Sequence, residues 1–221
     1  MSDFYHSVTL DSSRCKGCIN CIKRCPTEAI RVRNGKASII PERCIDCGEC
    51  IRVCPQHAKK AVFDSLDCLK EFKWKVALPA PSLYGQFNNL DNIDKVLTAF
   101  KRIGFDDVFE VNSAAEIVSD CTRKLMSTGK LPRPVISSAC PAVTRLIRVR
   151  FPNLCQNVLP VLAPVEVAAM MARREAVKKT GLKANEIGVF FISPCPAKVT
   201  YVRTPLGTRK SEINYVLAIS D

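Results

Sequence analysis

The feature that most constrains this chain is a cysteine motif that occurs twice near its amino terminus. Residues 15–26 read C-K-G-C-I-N-C-I-K-R-C-P and residues 44–55 read C-I-D-C-G-E-C-I-R-V-C-P, so the pattern C-x2-C-x2-C-x3-C-P returns after 29 residues. Eight of the 13 cysteines lie in these two copies. Disulfides are the first alternative, but residues 1–10 carry no basic-then-apolar signal segment, and the spacing favours metal ligation. The motif therefore predicts metal-bound thiolates in a reducing compartment.

The repeated motif resembles the two-cluster pattern of bacterial ferredoxins. In that pattern three thiolates of one copy bind one [4Fe–4S] cluster, and the fourth, just before a proline, binds the other cluster. A pair of zinc sites is the alternative, but zinc motifs rarely use three ligands at this spacing with a remote fourth. We therefore predict two [4Fe–4S] clusters. The ligand sets are Cys15, Cys18, Cys21 and Cys54 for the first cluster and Cys44, Cys47, Cys50 and Cys25 for the second.

The stretch between the two copies predicts a β-hairpin. Residues 30–40 read I-R-V-R-N-G-K-A-S-I-I, and the Asn34-Gly35 pair between β-branched residues is a strong turn signal. His57 follows Cys54 by three residues, but every cluster corner already has a thiolate, so we expect an exposed polar side chain. Residues 1–74 are thus predicted to form an α+β ferredoxin module.

After Trp74 the pattern changes to short apolar runs that alternate with amphipathic segments. This alternation predicts an α/β domain with a mostly parallel sheet over residues 75–221. The predicted strands are residues 75–79, 107–111, 134–137, 187–192 and 215–220. The predicted helices are residues 91–103, a helix capped by Ser113 with Glu116 in a capping box, residues 141–150 and residues 165–179. The apolar face of the first of these helices consists of Ile93, Val96, Leu97, Phe100 and Ile103.

Three segments are predicted to lie at the carboxyl ends of strands, where parallel sheets bind ligands. They are Ala80-Pro81-Ser82, Ser138-Ala139-Cys140-Pro141 and Ser193-Pro194-Cys195-Pro196. Pro141 suits the first turn of a helix, which would place Cys140 at a helix N-terminus, where the dipole favours thiolate. Cysteines that converge on one sheet edge beside a ferredoxin module are candidate cluster ligands. The remaining cysteines, Cys68, Cys121 and Cys155, lack this context and are interpreted as core or surface residues.

Several of these segments are similar to the [FeFe]-hydrogenase family, in the amino-terminal half of its catalytic domain. S-S-A-C-P-A-V followed by R-F-P-N-L resembles the first active-site motif, T-S-C-C-P-G-W followed by Y-P-E-L. I-S-P-C-P-A-K resembles the second, M-P-C-x-x-K-x-x-E, and A-P-S at 80–82 resembles the segment that covers the diiron unit. The resemblance implies that Cys140 and Cys195 ligate the cubane of the hydrogen-activating H-cluster, a [4Fe–4S] cluster plus a diiron unit. It also implies that Lys198 and Ser82 donate hydrogen bonds to the diiron unit.

The sequence departs from the family pattern at positions that matter for proton transfer. Ala139 replaces the cysteine that passes protons to the bridging amine in the family, and Tyr201 replaces the acidic end of the second motif. Proton transfer is therefore expected to be impaired or rerouted, and hydrogen turnover to be slow. Slow turnover suits a sensor better than a bulk hydrogen producer, and sensory members of the family resemble this pattern. The third family motif, a Gly-rich segment with C-x3-C, is absent, because residues 196–221 contain no cysteine. We therefore expect a piece of a longer protein, with the remaining H-cluster ligands outside this chain.

The net charge of the chain indicates which class of macromolecule it could bind. The formal net charge is +12, and two clusters at about −2 each would lower it to roughly +8. The basic pairs Lys59–Lys60, Arg173–Arg174 and Lys178–Lys179 are predicted to lie on solvated faces. No nucleic-acid motif accompanies them, so nucleic acid is not an expected partner. A redox partner protein with an acidic surface, or a downstream domain, fits better, with hydrogen and protons as small-molecule partners.

No membrane span is expected from the sequence. The longest apolar run, residues 158–172, is interrupted by Pro160, Pro164 and Glu166. Together with the reduced cysteines, this predicts a cytoplasmic protein.

Three functions follow from these features. The first is a regulatory or sensory [FeFe]-hydrogenase-like protein with slow, reversible hydrogen oxidation and proton reduction. The second is a two-cluster electron carrier, and the third is an iron–sulfur assembly factor without a diiron site. Retention of Ser82 and Lys198 favours a diiron site, because a cubane alone needs neither, whereas Ala139 points the other way. No G-x-G-x-x-G or P-loop follows a strand, which argues against a nucleotide-binding domain.

Overall fold

The computed structural model describes residues 5–88, 90–206 and 210–220. The chain forms two compact units, each built from three separated segments. The segments that carry Cys140 and Cys195 pack in the same unit as the cysteine repeat. The division into a ferredoxin module at residues 1–74 and an α/β domain at residues 75–221 stays a prediction. The first unit comprises Met1–Phe63, Ile136–Val158 and Cys195–Thr208, and the second comprises Asp64–Val135, Leu159–Pro194 and Arg209–Asp221.

The first unit contains two small antiparallel sheets and short helices. Its elements are β1 (Val8–Leu10), α1 (Asn20–Arg24), β2 (Ile30–Arg33), β3 (Lys36–Ile39), α2 (Glu49–Arg52), β4 (Lys59–Ala61), α5 (Pro141–Arg150) and α7 (Pro196–Arg203). β1 pairs with β4, and β2 pairs with β3. The β2–β3 turn holds Asn34 at φ 50° and Gly35 at φ 70°. Positive φ at both central residues is the requirement of a two-residue type I′ turn, so the hairpin prediction is confirmed.

The sequence repeat is also a repeat of backbone conformation. Gly17 has φ 70° and Asp46, 29 residues later, has φ 51°. Glu28 at φ 54° and His57 at φ 47° form a second pair at the same offset. α1 and α2 begin 29 residues apart as well. Each copy of the motif therefore folds as the same loop and helix.

The second unit is built on a four-stranded parallel sheet. Its elements are β5 (Trp74–Pro79), α3 (Ile93–Ile103), β6 (Asp107–Val108), α4 (Val111–Ser127), α6 (Pro164–Thr180), β7 (Ile187–Ile192) and β8 (Tyr215–Leu217). The strand order is β6-β5-β7-β8, and β5 pairs with β7 along all six residues, from Trp74 opposite Ile187 to Pro79 opposite Ile192. The parallel sheet and the strands predicted at 75–79 and 187–192 are confirmed. Every residue of β7 is buried, as expected for a central strand of a parallel sheet.

The core of this unit centres on Phe190 in β7. Its ring lies 5.6 Å from that of Phe105, 5.7 Å from that of Phe72 and 6.0 Å from that of Tyr215. A Cβ atom at Gly188 would approach the Phe72 ring to 2.6 Å, so the strand needs glycine there. This aromatic cluster fixes the sheet whose carboxyl edge carries Ser82.

Some predicted elements differ from the structure. The strand predicted at 107–111 ends at Val108, and α4 begins at Val111, so Ser113 lies inside the helix rather than at its cap. The helix starts earlier because Val111 and Ala114 are both buried, which extends its covered face by a turn. The strand predicted at 134–137 is wrong, since only Ile136 forms a bridge, to Val158. Pro132 and Pro134 lack the N–H donors that a strand requires.

Two further predictions hold only in part. The strand predicted at 215–220 ends at Leu217. In α3, Val96 and Phe100 are buried, but Ile93 and Ile103 at its two ends are 45% and 54% exposed. Only the middle of the helix is therefore packed against the core, and the apolar residues at its two ends remain largely exposed.

Candidate metal centres

A cavity in the first unit is lined by all four thiols predicted to hold the second cluster. Cys25, Cys44, Cys47 and Cys50 converge there, and the remaining lining is mainly apolar. Burial raises the pKa of Cys44 and of Cys50 to about 12, and it also raises the pKa of the Cys47 thiol. Without metal these thiols would hold their protons, so a metal centre that takes thiolates releases protons on binding.

The thiols of the first predicted set are also brought together. Burial, together with the charges of Cys18 and Cys54, raises the pKa of the Cys21 thiol, and Lys59 opposes this effect. The Cys15 sulfur accepts a hydrogen bond from the Ala37 amide at 3.4 Å, which lowers the Cys15 pKa. Backbone N–H groups that point at sulfur favour thiolate and tune the potential of any cluster bound there.

The proline-linked cysteines share one hydrogen-bond pattern. The Ala29 amide donates to Cys25 Sγ at 3.2 Å, and the Ala58 amide donates to Cys54 Sγ at 3.3 Å. Burial would raise the pKa of Cys54, but backbone donors, among them the Ala58 amide, outweigh it and lower that pKa. The two cysteines that cross between the predicted sets are therefore held alike.

Lys59 provides a test of whether this module suits anionic clusters. The side chain is 3% exposed, and within the described ranges its Nζ has no hydrogen-bond partner. A buried ammonium with no partner is costly, so the site requires negative charge. The Lys59 charge acts on thiols of both sets, and anionic clusters held there would supply the compensation, so the residues fit the group. The prediction of a solvated face is wrong for Lys59, while Lys60 is exposed.

Asp46, between two ligands of the second set, anchors a buried network. It accepts hydrogen bonds from the Val8 amide at 3.1 Å and from Thr200 Oγ1 at 2.9 Å, and its Oδ2 lies 2.8 Å from His6 Nδ1. Burial opposes ionisation, but these partners prevail and lower the Asp46 pKa below its ordinary value. Ser7 extends the network, because its hydroxyl donates to the Pro196 carbonyl at 2.6 Å.

Arg145 is a second buried cation of the first unit. Its Nη2 donates to the carbonyl and hydroxyl oxygens of Thr204 at 3.0 and 3.1 Å. Its Nε is buried and has no hydrogen-bond partner in the part of the chain that the structure describes. The guanidinium interacts electrostatically with Asp46 and Cys44. Sequence reasoning missed Asp46, Lys59 and Arg145, because none of them belongs to a ligand motif.

Cys140 and Cys195 occupy equivalent positions at the starts of two helices. Cys140 is the N-cap of α5 with φ −101° and ψ 111°, and Cys195 is the N-cap of α7 with φ −103° and ψ 111°. Each is followed by a proline at the first helical position, which suits helix initiation. Cys140 is exposed and Cys195 is partly buried. The helix N-terminus predicted for Cys140 is confirmed, and Cys195 shares it.

Lys198 connects these two helix starts. Its amide donates to the Cys195 carbonyl at 3.1 Å, and its Nζ donates to the Ala139 carbonyl at 2.9 Å. Its ammonium also lies 5.8 Å from the centre of the Tyr201 ring, a cation–π contact. Lys198 is therefore not a free surface lysine. Its side chain and its amide together connect the loop before Cys140 to the start of α7 at Cys195.

Ser82 belongs to the second unit, where it is exposed on a 3-10 turn over Pro81–Gln86. Two residues earlier, the Ala80 amide donates to the Ile192 carbonyl at 2.9 Å. The segment Ala80-Pro81-Ser82 therefore follows β5 and lies beside the end of β7. The prediction that all three punctuated segments lie at one sheet edge is wrong for 138–141, which follows no strand of the parallel sheet. A place for Ser82 beside Lys198 stays a prediction.

The other residues singled out in the sequence lie as expected. His57 is exposed at the end of the second motif copy. Cys68 is buried in the aromatic core, and Cys121 and Cys155 are exposed. No helix within the described ranges is long and apolar enough to cross a membrane.

Comparison with known families identifies the chain. Residues 73–221 match the family described as "Iron only hydrogenase large subunit, C-terminal domain". The chain belongs to this hydrogenase family. Residues 7–55 match the "4Fe-4S dicluster domain" family. The chain is thus an iron–sulfur protein that resembles the [FeFe]-hydrogenases, with a metal-binding, electron-transfer domain ahead of hydrogenase sequence.

Individual relatives agree with the family. The chain is 27% identical over 215 residues to a periplasmic [Fe] hydrogenase large subunit of Nitratidesulfovibrio vulgaris, covering 89% of this chain and 51% of the relative. It is 25% identical over 222 residues to iron hydrogenase 1 of Clostridium pasteurianum, covering 87% and 38%. The chain therefore spans about half the length of these curated relatives, or less.

The fold is also similar to solved [FeFe]-hydrogenases. A variant of HydA1 from Chlamydomonas reinhardtii superposes with a TM-score of 0.58 at 18% identity, covering 70% of this chain and 43% of that one. At this identity the likeness concerns the fold alone.

Proposed function

We propose that this chain carries two [4Fe–4S] clusters for electron transfer and supplies two thiolates, Cys140 and Cys195, to the H-cluster of a regulatory or sensory hydrogenase-like protein. The observation that carries the proposal is the pair of matching helix starts joined by Lys198. Two cysteines at the positive ends of two helices, with a lysine between their loops, form an environment for an anionic metal group.

The two-cluster part of the proposal is supported by the thiol geometry. Cys25 lines the same cavity as Cys44, Cys47 and Cys50, as the crossed ligand pattern requires. Lys59 supplies a buried positive charge that acts on thiols of both sets. Clusters held by these thiols would supply one-electron transfer.

The H-cluster part draws on residues of both motifs. Cys140 and Cys195 would supply two of the four corners of a cubane, and the remaining ligands would come from outside residues 1–221. When bound, the diiron unit supplies the heterolytic cleavage of hydrogen. Lys198, whose ammonium already donates to the Ala139 carbonyl, would hydrogen-bond an anionic ligand of that unit, and Ser82 would donate a second bond.

The residue at position 139 supports the regulatory part of the proposal. The methyl group of Ala139 can neither accept nor pass on a proton, and Tyr201 presents a ring to Lys198 where the family motif has a carboxylate. Slow proton delivery limits turnover and leaves a protein better suited to sensing hydrogen than to producing it.

The first test concerns the ligands. The full-length protein would be loaded with iron and sulfide under anaerobic conditions, and its iron would be counted. We expect Cys140→Ser to remove iron beyond that of the eight-thiol module and to leave the module's signals unchanged. Cys121→Ser, which alters an exposed thiol outside the motifs, is the matched control. Full iron content in Cys140→Ser would overturn the assignment of Cys140.

The second test concerns the proton relay. Ala139→Cys restores the thiol of the family motif, so hydrogen turnover of the loaded full-length protein should rise if this step limits the rate. Ala139→Ser is a matched variant of similar size whose hydroxyl is a much weaker acid. Equal turnover in all three proteins would mean that protons take another path.

One observation favours a second candidate, the two-cluster electron carrier. Both ferredoxin-type ligand sets lie within residues 15–54, and an electron carrier needs only these eight thiols. A carrier would accept electrons from an acidic redox protein, and a cytoplasmic location is proposed with it, although one relative is named periplasmic. Iron limited to the eight-thiol module in the full-length protein would favour this candidate.

A further inference from the structure

We propose that Lys59 is an internal countercation of the two clusters that raises their reduction potentials, most strongly for the cluster held by Cys15, Cys18, Cys21 and Cys54. The proposal rests on the two-cluster function proposed above. It assigns a role to a residue that no ligand motif contains.

The strand β4 places Lys59 in the interior of the cysteine module. Lys59 is the first residue of this strand and pairs with Leu10 of β1. Leu10 packs against a buried cluster that includes Cys15, Cys21 and Ala58. The residue before Lys59 donates its amide to Cys54 Sγ. The backbone therefore carries the lysine directly past thiols of the first set.

The internal repeat has an apolar side chain at the position equivalent to Lys59. The equivalent residue of the first copy, 29 positions earlier, is Ile30, which is 2% exposed and belongs to the buried cluster of Cys15, Cys21 and Ala58. The first copy therefore buries an apolar residue where the second buries a lysine. A lysine at the second position adds a buried charge instead, and such a charge is retained only where something compensates it.

Protein carboxylates do not provide the compensation. Lys59 forms no ion pair or hydrogen bond with any of the described residues, and the nearby Asp11 pairs with Lys60 at 3.4 Å. The groups on which the Lys59 charge acts are thiols. They are Cys15, Cys21 and Cys54 of the first ligand set and Cys50 of the second.

The sign of the effect follows from the charge of the ammonium. A fixed positive charge stabilises negative charge on nearby sulfur, and the backbone places Lys59 beside thiols of the first set. A charge that stabilises thiolate over thiol also stabilises a cluster that has gained an electron, because both changes add negative charge at the same place. Three of the affected thiols belong to the first set, so the first cluster should respond more.

The redox step itself is a one-electron change. A cluster with four thiolates carries about −2 when oxidised and about −3 after it accepts one electron from an external reductant. No covalent bond forms or breaks, and no proton is required. A fixed ammonium nearby favours the more negative state and therefore raises the potential.

The test is a reductive titration of the full-length, cluster-loaded protein with dithionite and redox mediators, followed by electron paramagnetic resonance. Lys59→Met removes the charge and keeps the length of the side chain, and Lys60→Met is the control at the adjacent exposed residue. A titration of Cys18→Ser identifies the signals of the first cluster. At the wild-type midpoint potential, we expect Lys59→Met to lower the ratio of reduced to oxidised first cluster at least tenfold, or about 59 mV for one electron.

The second cluster should shift in the same direction by less, and Lys60→Met should leave both potentials unchanged. Intact clusters with unchanged potentials in Lys59→Met would overturn the proposal. Equal shifts in Lys59→Met and Lys60→Met would also overturn it, because the effect would then be one of overall charge.

Cluster loss in the variants is also decisive. Lys59→Ile copies the residue of the first motif copy, and Lys59→Arg keeps the charge. Clusters that are lost from the Met and Ile variants but retained with Arg would show that the positive charge is needed, in support of the proposal. Loss from all three would indicate a requirement for the lysine's shape and overturn it. A wild-type protein that assembles no clusters would instead contradict the proposed function.

Discussion

At the scale of single residues, the cysteine module is unusual for its buried charges. Asp46, Lys59 and Arg145 are each at least nine-tenths buried within the first unit. Asp46 has hydrogen-bond partners, among them the Val8 amide and the Thr200 hydroxyl, whereas Lys59 Nζ and Arg145 Nε have no hydrogen-bond partner among the described residues. A module built only for stability would replace such cations with apolar side chains. Their presence beside eight thiols indicates that they act on what the thiols hold.

Asp46 offers a test of how strongly this network stabilises the fold. Asp46→Ala would leave the Val8 amide unpaired in the interior and would remove the carboxylate that Thr200 and His6 contact, which we expect to cost about 3 kcal/mol of the free energy of unfolding. The measurement is urea unfolding of the loaded protein, followed by cluster absorbance and circular dichroism. Asp11→Ala, which removes a partly exposed carboxylate, is the control and should cost less than about 1 kcal/mol. Equal losses in the two variants would show that the buried network contributes nothing specific.

Tyr215 predicts a pH dependence in the second unit. Its hydroxyl donates to Glu71 at 2.6 Å, and this bond, with burial, raises the Tyr215 pKa to about 12. Because the folded pKa is above the ordinary value of about 10, the contribution of Tyr215 to stability is fully present below pH 10 and is lost as the pH rises toward 12. The difference in unfolding free energy between wild type and Tyr215→Phe should therefore be constant below pH 10 and shrink above it. A difference that does not change up to pH 12 would contradict the assigned hydrogen bond.

At the scale of elements, one close approach connects the first motif copy to the hairpin. Gly17 lies between Cys15 and Cys18, and a Cβ atom built there would come within 2.5 Å of the Gly35 carbonyl oxygen. Gly35 has the same φ of 70°, but none of the described atoms lies within 4 Å of a Cβ at that position. A side chain at either position would strain the left-handed backbone, but only one at Gly17 would also collide with a neighbouring atom.

This pair gives a matched experiment. Both Gly17→Ala and Gly35→Ala should lose about 1 to 2 kcal/mol from the left-handed backbone alone. Gly17→Ala should lose about 1 to 3 kcal/mol more, because it must push the hairpin turn away from the motif. We expect it also to weaken retention of the first cluster, measured as iron content after gel filtration. Equal stability and iron content in the two variants would show that the loop adjusts without cost.

The elements that could be predicted from the sequence are those with a local signal. The β7 strand is an unbroken apolar run, α5 starts at a proline, and the hairpin turn is an Asn-Gly pair, so their bounds were predicted closely. Ser113 was wrongly predicted as a cap because burial of Val111, a tertiary effect, makes the helix start earlier. Residues 134–137 were wrongly predicted as a strand although Pro132 and Pro134, a local signal, already lack the N–H donors that a strand requires. The eight motif cysteines stand out in the sequence because ligand spacing is local, and their role as cluster ligands stays a prediction. The burial of Lys59 is a tertiary property, although its repeat equivalent Ile30 could have indicated it.

At the scale of the whole molecule, the cysteine repeat and the two hydrogenase motifs form one compact unit from separated segments. Thr200 of α7 donates to Asp46, Ser7 donates to the Pro196 carbonyl, and Arg150 of α5 pairs with Glu28 at 2.9 Å. Each contact joins residues more than 100 positions apart in the sequence. Polar groups of residues 1–74 thus find some of their hydrogen-bond partners in segments far downstream in the sequence.

This arrangement predicts that the isolated module is weaker than the same residues in the full chain. A fragment of residues 1–74 would lose the Thr200 partner of Asp46 and the Pro196 partner of Ser7, and so expose two buried polar groups. We expect it to release iron to a chelator at least tenfold faster than the full-length protein. Thr200→Val in the full-length protein keeps the shape of the side chain but removes its hydrogen bonds, so it should release iron at an intermediate rate. A fragment that holds its clusters as firmly as the full chain would show that the predicted boundary at residue 74 is also an energetic one.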